Sequence, residues 1–340
     1  MIADALANLI ESKDITFKDS SEVMSEIMEG EATSAQVGGF LTALRMKGET
    51  AEEVAGMATV MKSKSLKLEI SQDVVDTCGT GGDGLSTFNI STASAFVVAG
   101  AGVKVAKHGN RAMSSKTGSA DVLESLGINI NMSPPEIVEC INQTGFGFMF
   151  AQGFHPAMKH AAGPRRELAI PTVFNILGPL TNPANAKRQV IGASDGSKGK
   201  LMAQVLVKLG SIKAVVVHGD DGLDEATVSG ESTIWIVNSG SVEERKISPT
   251  EFGIPVSKLD SLRVSDSDES ATMINDVLRG GKGPARDVVL INSALALYVA
   301  SDSDDIQKFI EISRESLDSG SALSVLERYK DFSNSCVPND

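Results

Sequence analysis

The chain has 340 residues, 41% apolar and 22% charged, a balance that excludes wholesale disorder and a coiled-coil rod and is long enough for roughly two domains with a substantial core. Acids outnumber bases 44 to 31, for a net charge of −13. That excludes a general nucleic-acid binder, which needs a basic stripe, but not a small phosphorylated ligand, which needs only a few local cations and backbone amides.

The N-terminus, MIADALANLIESKDITF, has no basic leader region, no long apolar run and no small-residue cleavage pattern, so no secretory signal is expected. The longest apolar runs, such as Ala93–Ala101, fall far below the roughly 18 to 20 residues of a membrane span. Cys78, Cys140 and Cys336 form neither a CxxC pair nor a metal cluster, which predicts free thiols. Together these features read as a soluble cytoplasmic protein.

The first 70 residues predict helices and no strand. Thr33 with Gln36 is a capping-box pattern leading into Val37, Phe40, Leu41 and Leu44, closed by Lys47-Gly48; Thr50 with Glu53 repeats it ahead of Val54, Met57, Val60 and Met61. From Asp73 the texture changes. Strands are predicted at Val74–Thr77, Val103–Ala106, Phe148–Ala151, Gln189–Ala193, Ala214–His218 and Thr233–Val237. Helices are predicted at Ser91–Ala99, Ala120–Leu126, Lys198–Leu209 and Ser270–Leu278. Strand, turn and helix in alternation imply an α/β fold with a mostly parallel central sheet flanked by helices. The Ser/Asp-rich stretch Ser261–Glu269 reads as a loop, and the tail after Phe332 as frayed.

Four motifs bear chemistry. Gly79-Thr80-Gly81-Gly82-Asp83-Gly84 follows a strand and precedes a helix, with Asn89, Ser91 and Thr92 at the helix start. Such glycines let backbone amides approach a phosphate, although an ordinary turn with an ordinary cap has the same composition. Lys107-His108-Gly109-Asn110-Arg111, then Ser114-Ser115 and Gly118-Ser119-Ala120-Asp121, again follows a strand, where open α/β sheets bind ligands. His218-Gly219-Asp220-Asp221-Gly222-Leu223-Asp224-Glu225 holds four carboxylates in six residues, which need either solvent or a divalent cation between them. The fourth runs from His155-Pro156-Ala157-Met158 through Arg165-Arg166 to Phe174–Pro183; its arginines are surface ion-pair partners or a grip for a carboxylate.

In combination and order, GTGGD (Gly79–Asp83), NIST (Asn89–Thr92), KHGNR (Lys107–Arg111), SSKTGSAD (Ser114–Asp121), HPAM (His155–Met158), FNILGPLTNP (Phe174–Pro183) and DGLDE (Asp221–Glu225) resemble the anthranilate phosphoribosyltransferase family of tryptophan biosynthesis. The resemblance implies a small helical domain over residues 1–70, drawing also on about 165–183, and a large α/β domain over 71–340, paired into homodimers through the helical domains. It implies transfer of phosphoribose from phosphoribosyl pyrophosphate to the amine of anthranilate with Mg²⁺, two ions per subunit, and neither nucleic-acid nor membrane partners. It implies that Gly79, Gly82, Asp83, Thr87, Asn89, Ile90, Ser91, Thr92, Lys107, His108, Gly109, Asn110, Arg111, Ala112, Met113, Ser114, Ser115 and Ser119 hold the donor. Gly79, Asn110 and Arg165 would bind anthranilate, and Ser91, Asp224 and Glu225 the metal. No residue is assigned as general acid or base. Thr227 stands where a Ser is common and Lys159 where an Arg is common. A pyrimidine nucleoside phosphorylase, with related architecture, and a nucleic-acid-binding relative of the fold are the alternatives; KHGNR with GTGGD opposes the first and the net charge the second.

Overall fold

A computed structural model of the chain describes residues 1–112 and 117–336. It opens with four helices, α1 (Ile2–Ile10), α2 (Phe17–Glu29), α3 (Ser34–Lys47) and α4 (Ala51–Ser63). Thr33 and Thr50 cap α3 and α4 reciprocally with Gln36 and Glu53, as the sequence predicts, and Thr16 with Asp19 caps α2 in the same way. Gly30 in the left-handed conformation ends α2.

The remainder alternates strands and helices: β1 (Val75–Gly79), α5 (Ile90–Gly100), β2 (Val105–Gly109), α6 (Ser119–Ser125), α7 (Pro134–Thr144), β3 (Phe146–Phe150), α8 (Ala151–Phe154), α9 (Lys159–Leu168), α10 (Phe174–Leu177), β4 (Arg188–Gly192), α11 (Gly196–Lys208), β5 (Lys213–Gly219), β6 (Ser232–Asn238), β7 (Ser241–Ile247), α12 (Ser267–Leu278), α13 (Pro284–Ala300), α14 (Lys308–Asp318) and α15 (Ser321–Ser335). The strands form one sheet in the order β3-β2-β1-β4-β5-β6-β7. The first five pair in parallel; β6 and β7 add antiparallel to β5. The chain runs outward from β1 through β2 to β3, then returns to lay β4 on the other side of β1. The strand order therefore reverses between β1 and β4, where such sheets open a ligand crevice beyond their C-terminal ends.

Alternation along the strands divides the core. Val190, Val215, Val217, Ile234 and Ile236 face the layer built by α5, α13 and α15. Ile191, Ala214, Val216, Trp235 and Val237 face the opposite layer with α11 and the N-terminal helices. Ala161, Val173, Phe174, Ile176, Leu177 and Leu180 belong to that second cluster, packed with Val37, Phe40, Leu44 and Met57 from α3 and α4.

Several boundaries differ from the sequence reading. The strands at Val103–Ala106 and Ala214–His218 run on to Gly109 and Gly219, so Lys107 and His108 lie inside β2 rather than after it. Pairing with β3 and β6 holds those residues extended. The strand expected at Phe148–Ala151 starts at Phe146, because Gly145 ends α7 in the left-handed conformation and leads straight into it. The tail stays helical to Ser335, with Ser333 fully buried, rather than fraying at Phe332. All three cysteines are free thiols. Among the described residues no helix is long and apolar enough to cross a membrane.

Candidate active site

The loop after β1 sits at the crevice between β1 and β4. Gly81, Gly82 and Gly84 adopt φ values of 64°, 79° and 73°, open to glycine at little cost. Thr80 N–H donates to Gly192 O at 2.8 Å, and the Thr80 hydroxyl donates to Ser194 Oγ at 3.0 Å, fastening the loop to the end of β4. Farther on, Phe88 N–H donates to Leu262 O and Val264 N–H to Ser86 O, so the segment before α12 backs the loop as a short antiparallel pair. Asn89 then caps α5: its side chain accepts from the Thr92 amide at 3.2 Å, from the Thr92 hydroxyl, and from Ser91 Oγ at 3.5 Å.

The structure divides the four carboxylates of the acidic motif into two pairs. Asp220 accepts from Lys246 Nζ at 2.7 Å. Asp221 accepts from the hydroxyls of Thr227 and Ser229 at 2.6 and 2.5 Å and from Leu223 N–H at 3.2 Å, and is thus a structural hub. Thr227 supplies the hydroxyl that a Ser would. Asp224 and Glu225 turn instead into the crevice. Gly81 N–H donates to Asp224 Oδ2 at 2.9 Å, which joins the glycine loop to the acidic loop across 143 residues. A Cβ on Gly79 would lie 2.6 Å from Asp224 Oδ2, and one on Gly192 only 1.6 Å from the Asp224 carbonyl oxygen. These two glycines admit the acidic loop.

Burial, reinforced by the neighbouring Asp83 carboxylate, pushes the Asp224 carboxyl up to about 7. Glu225 is raised well above its ordinary range by burial and by Asp224, opposed by Lys107 and by the Ser91 backbone amide, which donates to it. Lys107 is 1% exposed. Its ammonium donates to Thr77 O and, at 3.1 Å, to Ser91 Oγ. Burial lowers its pKa, while Asp76, Cys78, Glu225 and Asp224 oppose the shift. Asp76 is the residue that sequence reasoning missed. It is fully buried in β1, accepts from His108 N–H at 3.1 Å and from Gln189 Nε2 at 3.3 Å, and is the counter-charge to Lys107.

Several of the other predicted residues are engaged in contacts of their own. His108 is buried, with a pKa lowered to about 3 by desolvation and by His155, whose ring centroid is 5.2 Å away. It is therefore a neutral hydrogen-bonding imidazole rather than a proton shuttle at neutral pH. Asn110 Oδ1 accepts from Arg111 N–H at 2.8 Å, and its carbonyl accepts from Ser119 Oγ at 3.4 Å. Arg111 is taken by Asp121 and, with both terminal nitrogens, by Glu124. Asp121 also accepts from the Ala112 and Gly118 amides, folding the KHGNR turn onto α6. Thr87 O accepts from Thr117 Oγ1 at 3.3 Å, and Ile90 begins α5. Met113, Ser114 and Ser115 lie outside the described residues. Arg165 on α9 stacks its guanidinium 4.9 Å from the Phe174 ring centroid; among the described residues it has no ion pair and no hydrogen bond to Gly79 or Asn110. Burial lowers its pKa.

Two family models match the chain. The helical bundle domain of a glycosyl transferase family covers residues 3–65, and that family's a/b domain covers residues 71–323. The anthranilate phosphoribosyltransferase of Acetivibrio thermocellus is 49% identical over 338 residues, 99% of this chain and 98% of the relative. That of Dehalococcoides mccartyi is 50% identical over 329 residues, 96% of each. Among solved structures, anthranilate phosphoribosyltransferase from Thermus thermophilus superposes with a TM-score of 0.92 at 39% identity, covering 97% of this chain and 99% of the other. The Saccharomyces cerevisiae enzyme in complex with PRPP and Mg superposes with a TM-score of 0.90 at 28% identity, covering 98% of each.

Proposed function

We propose that this chain, which belongs to the anthranilate phosphoribosyltransferase family, transfers the phosphoribosyl group of 5-phosphoribosyl 1-pyrophosphate to the amine of anthranilate and releases pyrophosphate. The observation that carries the reading is the junction of the glycine loop with the acidic pair at the sheet's switch point, through the hydrogen bond from Gly81 to Asp224.

The donor set suits Mg²⁺. Burial first, then the neighbouring carboxylates (Asp83 beside Asp224, and Asp224 beside Glu225), hold both carboxyls above the normal range, so a cation bound there relieves a cost already present. With Ser91 they offer few protein ligands, which leaves coordination positions for water and phosphate oxygens, as Mg²⁺ prefers. Asp224, Glu225 and Ser91 would hold two ions per subunit, which when bound neutralise charge growing on the departing pyrophosphate. The chain's own groups do the rest. Gly79, Gly82, Asp83, Thr87, Asn89, Ile90, Ser91 and Thr92, with Lys107 to Ser115 and Ser119, would hold and orient the donor. The sugar carbon becomes oxocarbenium-like, so alignment of the amine matters more than a strong base. An aromatic amine is already neutral at pH 7 and needs no strong base, and burial leaves His108 only a weak one. Gly79, Asn110 and Arg165 form the anthranilate end, with the guanidinium on the carboxylate.

We further propose a cytoplasmic homodimer joined through the helical domains, the small domain comprising residues 1–70 with about 165–183. The packing of Ala161 to Leu180 with α3 and α4 supports that division.

The test follows loss of anthranilate fluorescence with Mg²⁺ and both substrates. Wild-type protein should turn over. Arg165→Ala should raise KM for anthranilate about thirtyfold, the worth of one charged hydrogen bond, with little change in KM for the donor. Absent wild-type turnover, or equal rises in both KM values, would contradict the assignment.

A further inference from the structure

Asn292 lies on α13, a helix buried without interruption from Val288 to Val299. A carboxamide in so apolar a setting is costly unless its polar atoms are paired. Here they are. Nδ2 donates to Ala226 O and Val288 O, each at 2.9 Å, and Oδ1 accepts from Ala226 N–H at 2.9 Å. Both backbone polar groups of one loop residue are thus gripped by a single buried side chain, as a neighbouring strand would grip them. That residue directly follows Asp224 and Glu225. Asn292 and Glu225 also share the wall of a cavity of about 10 Å³ with Ser91 and Thr77.

The loop between Gly219 and Ser232 has no regular secondary structure to hold it and carries carboxylates that repel one another. Asp221 ties its outer side through hydroxyls. On the core side, the described contact to α13 is the Asn292 clamp.

We infer that Asn292 is a positioning residue: by holding Ala226 it fixes Asp224 and Glu225 at the crevice, in the orientation that the divalent cation and the pyrophosphate require. This rests on the function proposed above. Among the described residues, two of the three hydrogen bonds of the Asn292 side chain go to the loop and one to its own helix, so the carboxamide serves the loop more than the helix.

The test compares Asn292→Ala and the isosteric Asn292→Asp with Leu295→Ala, a fully buried α13 residue whose truncation costs stability but removes no hydrogen bond to the loop. Three readouts are taken: thermal midpoint, hydrogen exchange of the Ala226 amide, and half-saturating Mg²⁺ alongside both KM values. Asn292→Ala should lose Ala226 protection. Its half-saturating Mg²⁺ and donor KM should rise about tenfold, the equivalent of one lost hydrogen bond, with anthranilate KM unmoved. Asn292→Asp keeps the acceptor for Ala226 N–H but loses the donors; it should retain protection at Ala226 and still shift the Mg²⁺ response. It carries the test if Asn292→Ala does not fold. Leu295→Ala should lower the midpoint alone. An unchanged Mg²⁺ response in both Asn292 variants, or an equal shift in Leu295→Ala, overturns the inference while leaving the proposed function standing. An inert wild type overturns both.

Discussion

Lys107→Met should slow turnover about 10²–10³-fold and destabilise the fold. The Lys107 ammonium is buried between Thr77 O and Ser91 Oγ, and it compensates Asp76 below and the acidic pair above. Methionine fills similar volume but leaves Asp76, fully buried, with hydrogen bonds and no counter-charge. Removing a buried charged donor from Thr77 O and Ser91 Oγ, with its attraction for Asp76, costs about 1–3 kcal/mol. Glu225 also loses the cation that opposes its upward shift, so the carboxylate needed for a metal becomes harder to ionise. Loss of preorganised charge at a site of this kind lowers kcat by about 10²–10³-fold. Urea unfolding and single-turnover rates measure the two effects separately. A variant with wild-type stability and a rate within a few-fold would show that Lys107 is a bystander.

Gly192→Ala should be nearly as severe for a different reason. The new Cβ would sit 1.6 Å from the Asp224 carbonyl oxygen, a contact with backbone that no rotamer change relieves. Either β4 or the acidic loop must move. A displacement of about 1 Å at the acidic pair is enough to cost about a hundredfold in rate. Gly230, by contrast, has open space around it, and Gly230→Ala should be silent. If Gly192→Ala retains full activity, the acidic loop does not need the register seen between Gly79, Gly192 and Asp224.

Much of this site is legible in the chain because its parts are local. A glycine loop between strand and helix, an N-cap Asn, and acids at the end of an apolar strand can each be read within ten residues. What could not be read depends on distant partners. Nothing local separates Asp220 and Asp221 from Asp224 and Glu225; the division comes from Lys246 on β7 and from Thr227 and Ser229 on the return of the loop. Asp76 in a strand reads as an ordinary polar residue until Lys107 on the neighbouring strand supplies its charge. Its one local signal is a carboxylate three residues before the first glycine of the loop. β7 was hidden by its composition. Ser241–Ile247 is mostly charged because it is an edge strand, and charge there discourages further pairing. The turn before it was readable: Ser239 and Gly240 both have positive φ, as a tight hairpin requires. α13 escaped because a helix buried on all sides has no periodicity. Asn292, the bulkiest polar interruption of its apolar run, is the mark it left.

On the proposed function, the glycine loop, the α5 cap and the acidic pair act together as one phosphoribosyl pyrophosphate site completed by Mg²⁺. Isothermal titration of the donor into folded protein tests it directly. Saturable heat at one site per chain with Mg²⁺ present, strongly weakened when Mg²⁺ is chelated, is the predicted result. No heat with Mg²⁺ present, or the same affinity with and without it, would mean that these loops do not form such a site.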